Sequence, residues 1–183
     1  MGLGDKMSGN LQFIKEFNST ESSSTVSLTD CFNADYDTYE IYITHLSTSS
    51  NVSYLYGRLL DSSNNVISAN EYDRTGYDLH SDAGYTEQFA ENISYFLVIF
   101  AGGVNYHQMG GIKLTVFSPY QSDSHTMIKI EGALQDSLNS NHLMGNKGGA
   151  MHFVNETIKG IQFYYSNGAT FDEGMKFKVY GVK

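Results

Sequence analysis

Six histidines are the side chains of this sequence best suited to bind a metal ion, and their spacing predicts no helical site. No two of them lie four residues apart, and the HExxH pattern of zinc proteases does not occur. A metal site would have to be assembled from several strands, so we predict that most of them are solvent-exposed or hydrogen-bonded and expect no cofactor. The six are His45, His80, His107, His125, His142 and His152.

Clustered carboxylates are the second feature with possible chemistry, because Ca²⁺ binds carboxylate and carbonyl oxygens. Asp35 and Asp37 are close in sequence, and residues 73–91 carry five acidic side chains. The spacing of an EF-hand loop is missing. Acidic loops are more often simply solvated, and we favour that interpretation over a calcium site.

No nucleophile stands in a recognisable catalytic pattern. The single cysteine, Cys31, excludes an intramolecular disulfide and lies beside Asp30 and Phe32, with no cation to lower its pKa. We predict a small, semi-buried hydrophobic side chain there. A GxSxG elbow is absent, and the glycine pairs at 102–103 and 148–149 lack a phosphate-binding pattern, so we read them as turns. The sequence therefore predicts a protein that is not an enzyme.

Tyrosines offer a binding surface instead. Tyr77 and Tyr85 fall in residues 73–92, which we predict to be a long irregular loop, and such loops are usually functional or lie at an interface. Exposed tyrosine rings can stack on sugars, with residues 136–149 as a second polar loop at the rim. Cross-strand tyrosines within a sandwich are the commoner explanation, so a glycan is a possible partner rather than the main expectation.

The bulk composition limits the class of protein and its partners. The chain has 183 residues and a formal net charge of −9, and its 11 Lys and Arg residues are scattered, which argues against nucleic acid as a partner. It lacks an apolar run long enough to span a membrane and an apolar signal segment, so we expect a soluble product made in a cytoplasm. We predict an N-terminal arm at residues 1–10 and a single domain at residues 11–183.

Short alternating segments separated by Ser-, Asn- and Gly-rich turns predict an all-β fold. We expect about ten strands in an antiparallel β-sandwich, most simply a jelly roll, with residues 93–100 as a central strand buried on both faces. The stretch 158–182 alternates Phe163 and Phe177 with polar neighbours such as Lys176 and Lys178, and it predicts a β-hairpin with a wide loop. The other predicted strands are 11–17, 26–28, 39–46, 52–60, 66–72, 110–118, 125–134 and 150–154.

Several of these segments share a pattern with known proteins. An alternating strand at 39–43 is followed by a glycine-containing strand at 55–59, and then by an aromatic residue, Tyr72. A "G-x-I/L-x-x-x-x-P" pattern is approximated by Gly111, Leu114 and Pro119, with one extra residue between the glycine and the leucine and with Phe117-Ser118 in place of the more familiar Asn before the proline. The closing stretch is similar to "GI-x-F-x-x-S-x-G … G-x-F-x-x-Y-G", with one extra residue after the glycine of the second half, through Gly160, Ile161, Phe163, Ser166, Gly168, Gly174, Phe177, Tyr180 and Gly181. Across residues 39–183 the chain thus resembles β-sandwich decoration, fibre and tail-associated proteins of tailed bacteriophages, in particular marine phages and cyanophages.

This resemblance implies a non-enzymatic virion component, most simply a capsid decoration or cement protein or a part of the tail or fibre. Its partners would be the major capsid or tail proteins of the same particle, and it would be made in the host cytoplasm. We also expect a homo-oligomer, with a trimer as the preferred guess, because aromatic residues and Met are enriched at subunit contacts. The residues that we expect at an interaction surface are Leu3, Met7, Tyr77 and Tyr85.

Overall fold

The computed structural model describes residues 10–19, 23–47, 52–102, 110–136 and 142–183. Leu3 and Met7, with nearly all of the predicted arm, lie outside these ranges. Within them the chain has no helix, and therefore none that is long and apolar enough to cross a membrane. It forms twelve strands: β1 (Leu11–Asn18), β2 (Thr25–Leu28), β3 (Thr38–Thr44), β4 (Val52–Leu60), β5 (Tyr72–His80), β6 (Gly84–Ile93), β7 (Phe96–Gly102), β8 (Gly111–Phe117), β9 (Thr126–Asp136), β10 (His142–His152), β11 (Gly160–Tyr165) and β12 (Lys176–Val182).

The strands form two antiparallel sheets. The large sheet has the order β1-β12-β3-β8-β9-β10-β5-β6, and the small sheet has the order β2-β11-β4-β7. Strand β1 pairs with β12, β2 with β11, β3 with β8 and β4 with β7, so the two halves of the chain run side by side and switch sheets together. This nesting of strand pairs is the jelly-roll topology. The predicted all-β, antiparallel jelly-roll sandwich is confirmed.

Two hairpins are inserted into the jelly roll and widen its large sheet. Strands β5 and β6 lie between β4 and β7 in the chain, whereas β9 and β10 lie between β8 and β11. They add β9, β10, β5 and β6, in that order, to the edge of the sheet beyond β8. We call these four strands the extension.

The extension corrects our prediction of two irregular loops. Residues 73–92 belong to β5, β6 and the three-residue turn between them, and residues 136–149 include the end of β9 and most of β10. Hydrophobic alternation did not reveal β5 because its inward positions Arg74, Gly76 and Asp78 are polar or small. Strand β10 contains three glycines, so its sequence shows no regular alternation of apolar and polar side chains.

The closing stretch is also different from its prediction. Strands β11 and β12 do not pair with each other; β11 lies in the small sheet and β12 in the large one. The connection between them therefore crosses from one sheet to the other. Both strand faces were predicted correctly, since Phe163 and Phe177 are fully buried and their ring centroids lie 5.3 Å apart across the sandwich.

Strand β7 is buried as predicted but is not central. Phe96, Leu97, Val98 and Ile99 are all buried, yet β7 is the last strand of the small sheet. The extension packs against it, and Asn146 of β10 donates a hydrogen bond from Nδ2 to the Val98 carbonyl at 2.8 Å. Burial on both faces thus comes from the extension rather than from flanking strands.

The predicted strand at 66–72 is likewise wrong, because its first residues contribute a single β-bridge between Val66 and Leu60. Gly57 in β4 lies directly against the Phe96 ring of β7. A Cβ atom there would lie 2.3 Å from the Phe96 ring, so only glycine fits.

Candidate functional site

Apolar side chains are exposed on one side of the extension and of the adjoining strand β8. We call this surface the outer face: the side of β8, β9, β10, β5 and β6 that points away from the small sheet. Of the ten large hydrophobic side chains that are exposed among the described residues, seven lie here, so the distribution is strongly one-sided. Isolated apolar residues on a surface are ordinary, but a contiguous group marks an interaction site. The seven are Tyr77, Leu79, Tyr85, Phe89, Phe117, Met127 and Leu143.

The register of the four strands aligns these side chains in rows. One row runs from Ala133 through Gly145 and Leu79 to Tyr85, and is apolar throughout. The adjacent outward-facing row contains Tyr77, which has a charged side chain opposite it on each of the two neighbouring strands. Successive rows on this face are two residues apart along each strand, so the apolar row and the row of Tyr77 are direct neighbours.

Tyr77 and Tyr85 lie on neighbouring strands of this face rather than in a loop. Their side chains are 48 % and 64 % exposed, and the rings meet edge to face at a centroid distance of 5.6 Å and an interplanar angle of 79°. The structure therefore brings the two predicted interaction residues together at the surface. Sequence reasoning identified the residues but assigned them to the wrong kind of element.

An open groove of about 610 Å³ crosses the outer face next to this tyrosine pair. Phe89, which is 74 % exposed, lies on β6 at one side, and Phe117 and Met127 lie on β8 and β9 at the other. Gly149 of β10 is in the same row as Phe89. Because glycine has no side chain, the space between the two sides of the groove stays open there. Asp73, Thr75, Glu91, Lys129 and Met151 supply further polar and apolar lining.

The opposite side of the extension is polar where it meets β7. A small, partly open cavity of about 20 Å³ is lined by Arg74, Asp78, Gln88 and Asn146, among others, and its size fits one water molecule. Asp78 is only 5 % exposed and accepts a hydrogen bond from Gln88 Nε2 at 2.9 Å. Burial raises the pKa of the Asp78 carboxyl, against smaller lowering effects of Gln88, His80 and Arg74.

The groups that could do chemistry are mostly engaged in structure. Cys31 is buried, and desolvation raises the pKa of its thiol to about 12, so the thiolate is not populated near neutral pH. The acidic stretch that might have bound Ca²⁺ is spread along two strands, and Asp73 Oδ1 accepts a hydrogen bond from the Asn92 backbone N–H at 2.9 Å. Within the described ranges, a single group of three possible metal ligands converges: Glu71, His152 and Glu156.

Comparison with known proteins does not assign the chain to a family. No protein-family model matches it, and no curated protein matches it. Among solved structures, it is similar to the CBM2 module of the evolved Dit of Lactobacillus casei BL23 phage J-1, with 8 % sequence identity over 86 % of this chain and 68 % of that chain. The TM-score is 0.25, so this similarity carries no argument about function.

Proposed function

We propose that this chain is a non-enzymatic structural protein of a tailed-phage particle and that the outer face of its extension binds a neighbouring virion protein. The observation that carries the proposal is the concentration of exposed Tyr, Phe, Leu and Met side chains on that face. Aromatic residues and Met are enriched in the cores of protein interfaces, whereas charged residues belong to their rims. The phage context rests on the sequence resemblance described above.

The area of the outer face suits a protein partner. The four strands of the extension, at about 4.8 Å spacing and with nine residues at about 3.4 Å each, contribute roughly 600 Å² to this face. A stable interface of ordinary size buries about 800 Å² on each partner. The face therefore supplies most of one side of such an interface, and neighbouring loops would supply the rest.

The charge of the chain favours a different protein over a second copy at this face. The formal net charge is −9, and like-charged copies repel each other unless the interface compensates for it. A partner of another sequence can carry that compensation. A homo-oligomer, which the sequence analysis also predicts, would use another surface, and light scattering on the isolated protein reports its size.

A sugar is a weaker candidate for the tyrosine pair. Sugar rings stack on aromatic faces, and a platform for a glycan chain presents several ring faces in one direction. The rings of Tyr77 and Tyr85 are nearly perpendicular, at 79°, so they do not form such a platform. A glycan array with the wild-type protein and Tyr85→Ala distinguishes the two ligands: specific binding that the substitution removes would favour the sugar.

The experiment that tests the proposal is quantitative mass spectrometry of purified particles of the phage that encodes this chain. We expect the chain at a fixed copy number per particle, and a decrease of at least tenfold for the double variant Tyr85→Ser/Phe89→Ser. Both side chains are mostly solvent-exposed, so folding should be unaffected.

The matched control is Val66→Ser, which removes an exposed apolar side chain away from the outer face and should leave the copy number unchanged. Absence of the wild-type chain from particles, with abundant free protein in lysates, would contradict a structural role. Normal incorporation of the double variant would instead show that the chain binds through another surface.

A further inference from the structure

Glu71, His152 and Glu156 come from three segments and meet where the extension joins the jelly roll. His152 is the last residue of β10, Glu71 precedes β5, and Glu156 lies in the connection between β10 and β11. The backbone fixes this arrangement, because His152 is paired with Tyr72 and the Phe153 N–H donates to the Glu71 carbonyl at 3.1 Å. One ligand atom of each side chain lies within 4.8 Å of the other two.

The distances in this cluster are long for hydrogen bonds and suitable for a metal ion. His152 Nε2 lies 3.3 Å from Glu71 Oε2 and 3.5 Å from Glu156 Oε1. A charge-assisted N–H···O bond is normally about 2.7–2.9 Å long. Two ligand atoms about 2.0–2.2 Å from a tetrahedral ion lie about 3.3–3.6 Å apart, which includes both observed separations.

The burial of His152 and the charge around it also favour a bound cation. The His152 side chain is fully buried, and both polar neighbours of its Nε2 are carboxylates, so a neutral imidazole can donate its one N–H to only one of them. The cluster thus concentrates negative charge that a cation would neutralise. The carboxylates remain 29 % and 33 % exposed, which gives an ion access.

We propose that Glu71, His152 and Glu156 bind a divalent transition-metal ion of the Zn²⁺ class, with water as the fourth ligand. One nitrogen and two carboxylate oxygens suit Zn²⁺, whereas Ca²⁺ takes six to eight oxygen ligands. The bound ion joins the connection after β10 to the start of β5, so it stabilises the attachment of the extension. This inference is independent of the proposed virion function.

The second ring nitrogen of His152 bears on the affinity that we expect for Zn²⁺. Nδ1 is buried and has no hydrogen-bond partner among the described residues. A metal-bound histidine usually donates this N–H to an acceptor, and losing the partner typically lowers metal affinity about 10–100-fold. We therefore expect a dissociation constant for Zn²⁺ in the micromolar range rather than the tighter binding of closed structural sites.

The test is calorimetric titration of the chelator-treated full chain with Zn²⁺, together with thermal melts. We expect one Zn²⁺ per chain and a rise in Tm of about 5–10 °C at a hundredfold excess over Kd. Co²⁺ titrated in its place should give the visible absorption of a tetrahedral site, and Ca²⁺ should leave the Tm unchanged.

Two substitutions that preserve side-chain shape, Glu71→Gln and Glu156→Gln, should each weaken Zn²⁺ binding at least tenfold. Both residues are partly exposed, so the variants should fold. The control is Asp82→Asn, because Asp82 also contacts a histidine, His142, at 2.7 Å, but has no second carboxylate in that contact. The proposal is overturned if the folded wild-type chain takes up no Zn²⁺, or if the two glutamine variants bind it as tightly as the wild type.

Discussion

The buried carboxyl group of Asp78 makes a pH-dependent contribution to stability. Its pKa in the folded state is raised mainly by burial, from a model-compound value of 3.8. The folded state therefore binds more protons than the unfolded state between 3.8 and the raised pKa. Stability falls as the pH rises through this window, and the ionised group lowers stability at neutral pH.

We expect Asp78→Asn to raise the Tm at pH 7, because it removes this buried charge and its Oδ1 can still accept the hydrogen bond from Gln88. The advantage over the wild type should shrink as the pH falls toward 4. Thermal melts between pH 3.5 and pH 8 measure both trends. A variant that is less stable than the wild type at pH 7 would show that Arg74 and His80 stabilise the ionised carboxylate more than burial destabilises it.

Two glycines in strands should respond differently to the same added methyl group. A Cβ atom at Gly57 would meet the fully buried Phe96 ring at 2.3 Å, whereas a Cβ at Gly145 would find its nearest neighbour at 3.5 Å. We expect Gly57→Ala to cost about 1–3 kcal/mol through overpacking. Gly145→Ala should be neutral or stabilising by up to about 1 kcal/mol. Denaturant melts of both variants test this; equal losses would contradict the close contact at Gly57.

At the scale of elements, substitutions in β12 test which face of this strand is buried. Phe177 is fully buried against Phe17, Phe163 and Phe171, with ring centroids 5.3–6.2 Å away. We expect Phe177→Ala to lower the free energy of unfolding by about 3–5 kcal/mol, because it leaves a cavity.

The matched variants on the other face of β12 are Lys176→Ala and Lys178→Ala, each expected within about 0.5 kcal/mol of the wild type. Lys178 lies 3.6 Å from Glu16, and an exposed ion pair of this kind contributes little. Urea denaturation of the three variants decides between the faces. Larger losses for the lysine variants than for Phe177→Ala would mean that the strand is inverted.

The alternation of apolar and polar residues was sufficient to predict the strands of the jelly roll, but not to predict which strands pair with each other. Tyr39, Ile41 and Ile43 in β3 and Ile112, Leu114 and Val116 in β8 point inward as predicted. The same alternation arises whether two successive strands pair or face each other across the core. The closing hairpin was therefore mistaken, because nothing local distinguishes a hairpin from a connection between sheets.

The candidate sites were less predictable because they depend on register. Tyr77 and Tyr85 could be selected by residue type, but their contact requires the pairing of β5 with β6. His152 is 81 residues from Glu71, so no spacing rule joins them. Strand β5 combines polar inward residues with exposed apolar ones, which hides both its structure and its role from hydrophobic periodicity.

At the scale of the whole molecule, a jelly roll carries a lateral extension whose outer face presents apolar side chains to solvent. The jelly roll supplies the packed core, while the extension places a partly apolar surface at one edge of the large sheet. Its last strand, β6, has one edge that pairs with no other described strand, and Glu87 and Glu91 provide the negative charge that discourages non-specific strand pairing there. The central claim is that a neighbouring virion protein covers this face.

Oxidative footprinting with mass spectrometry, comparing free protein with intact particles, measures that coverage directly. In the free protein Tyr85 and Phe89 should be oxidised readily, since they are 64 % and 74 % exposed. On the particle we predict that both are protected at least severalfold, while Val66, away from the outer face, reacts equally in the two samples. Equal oxidation of Tyr85 and Phe89 in free and particle-bound protein would contradict the claim.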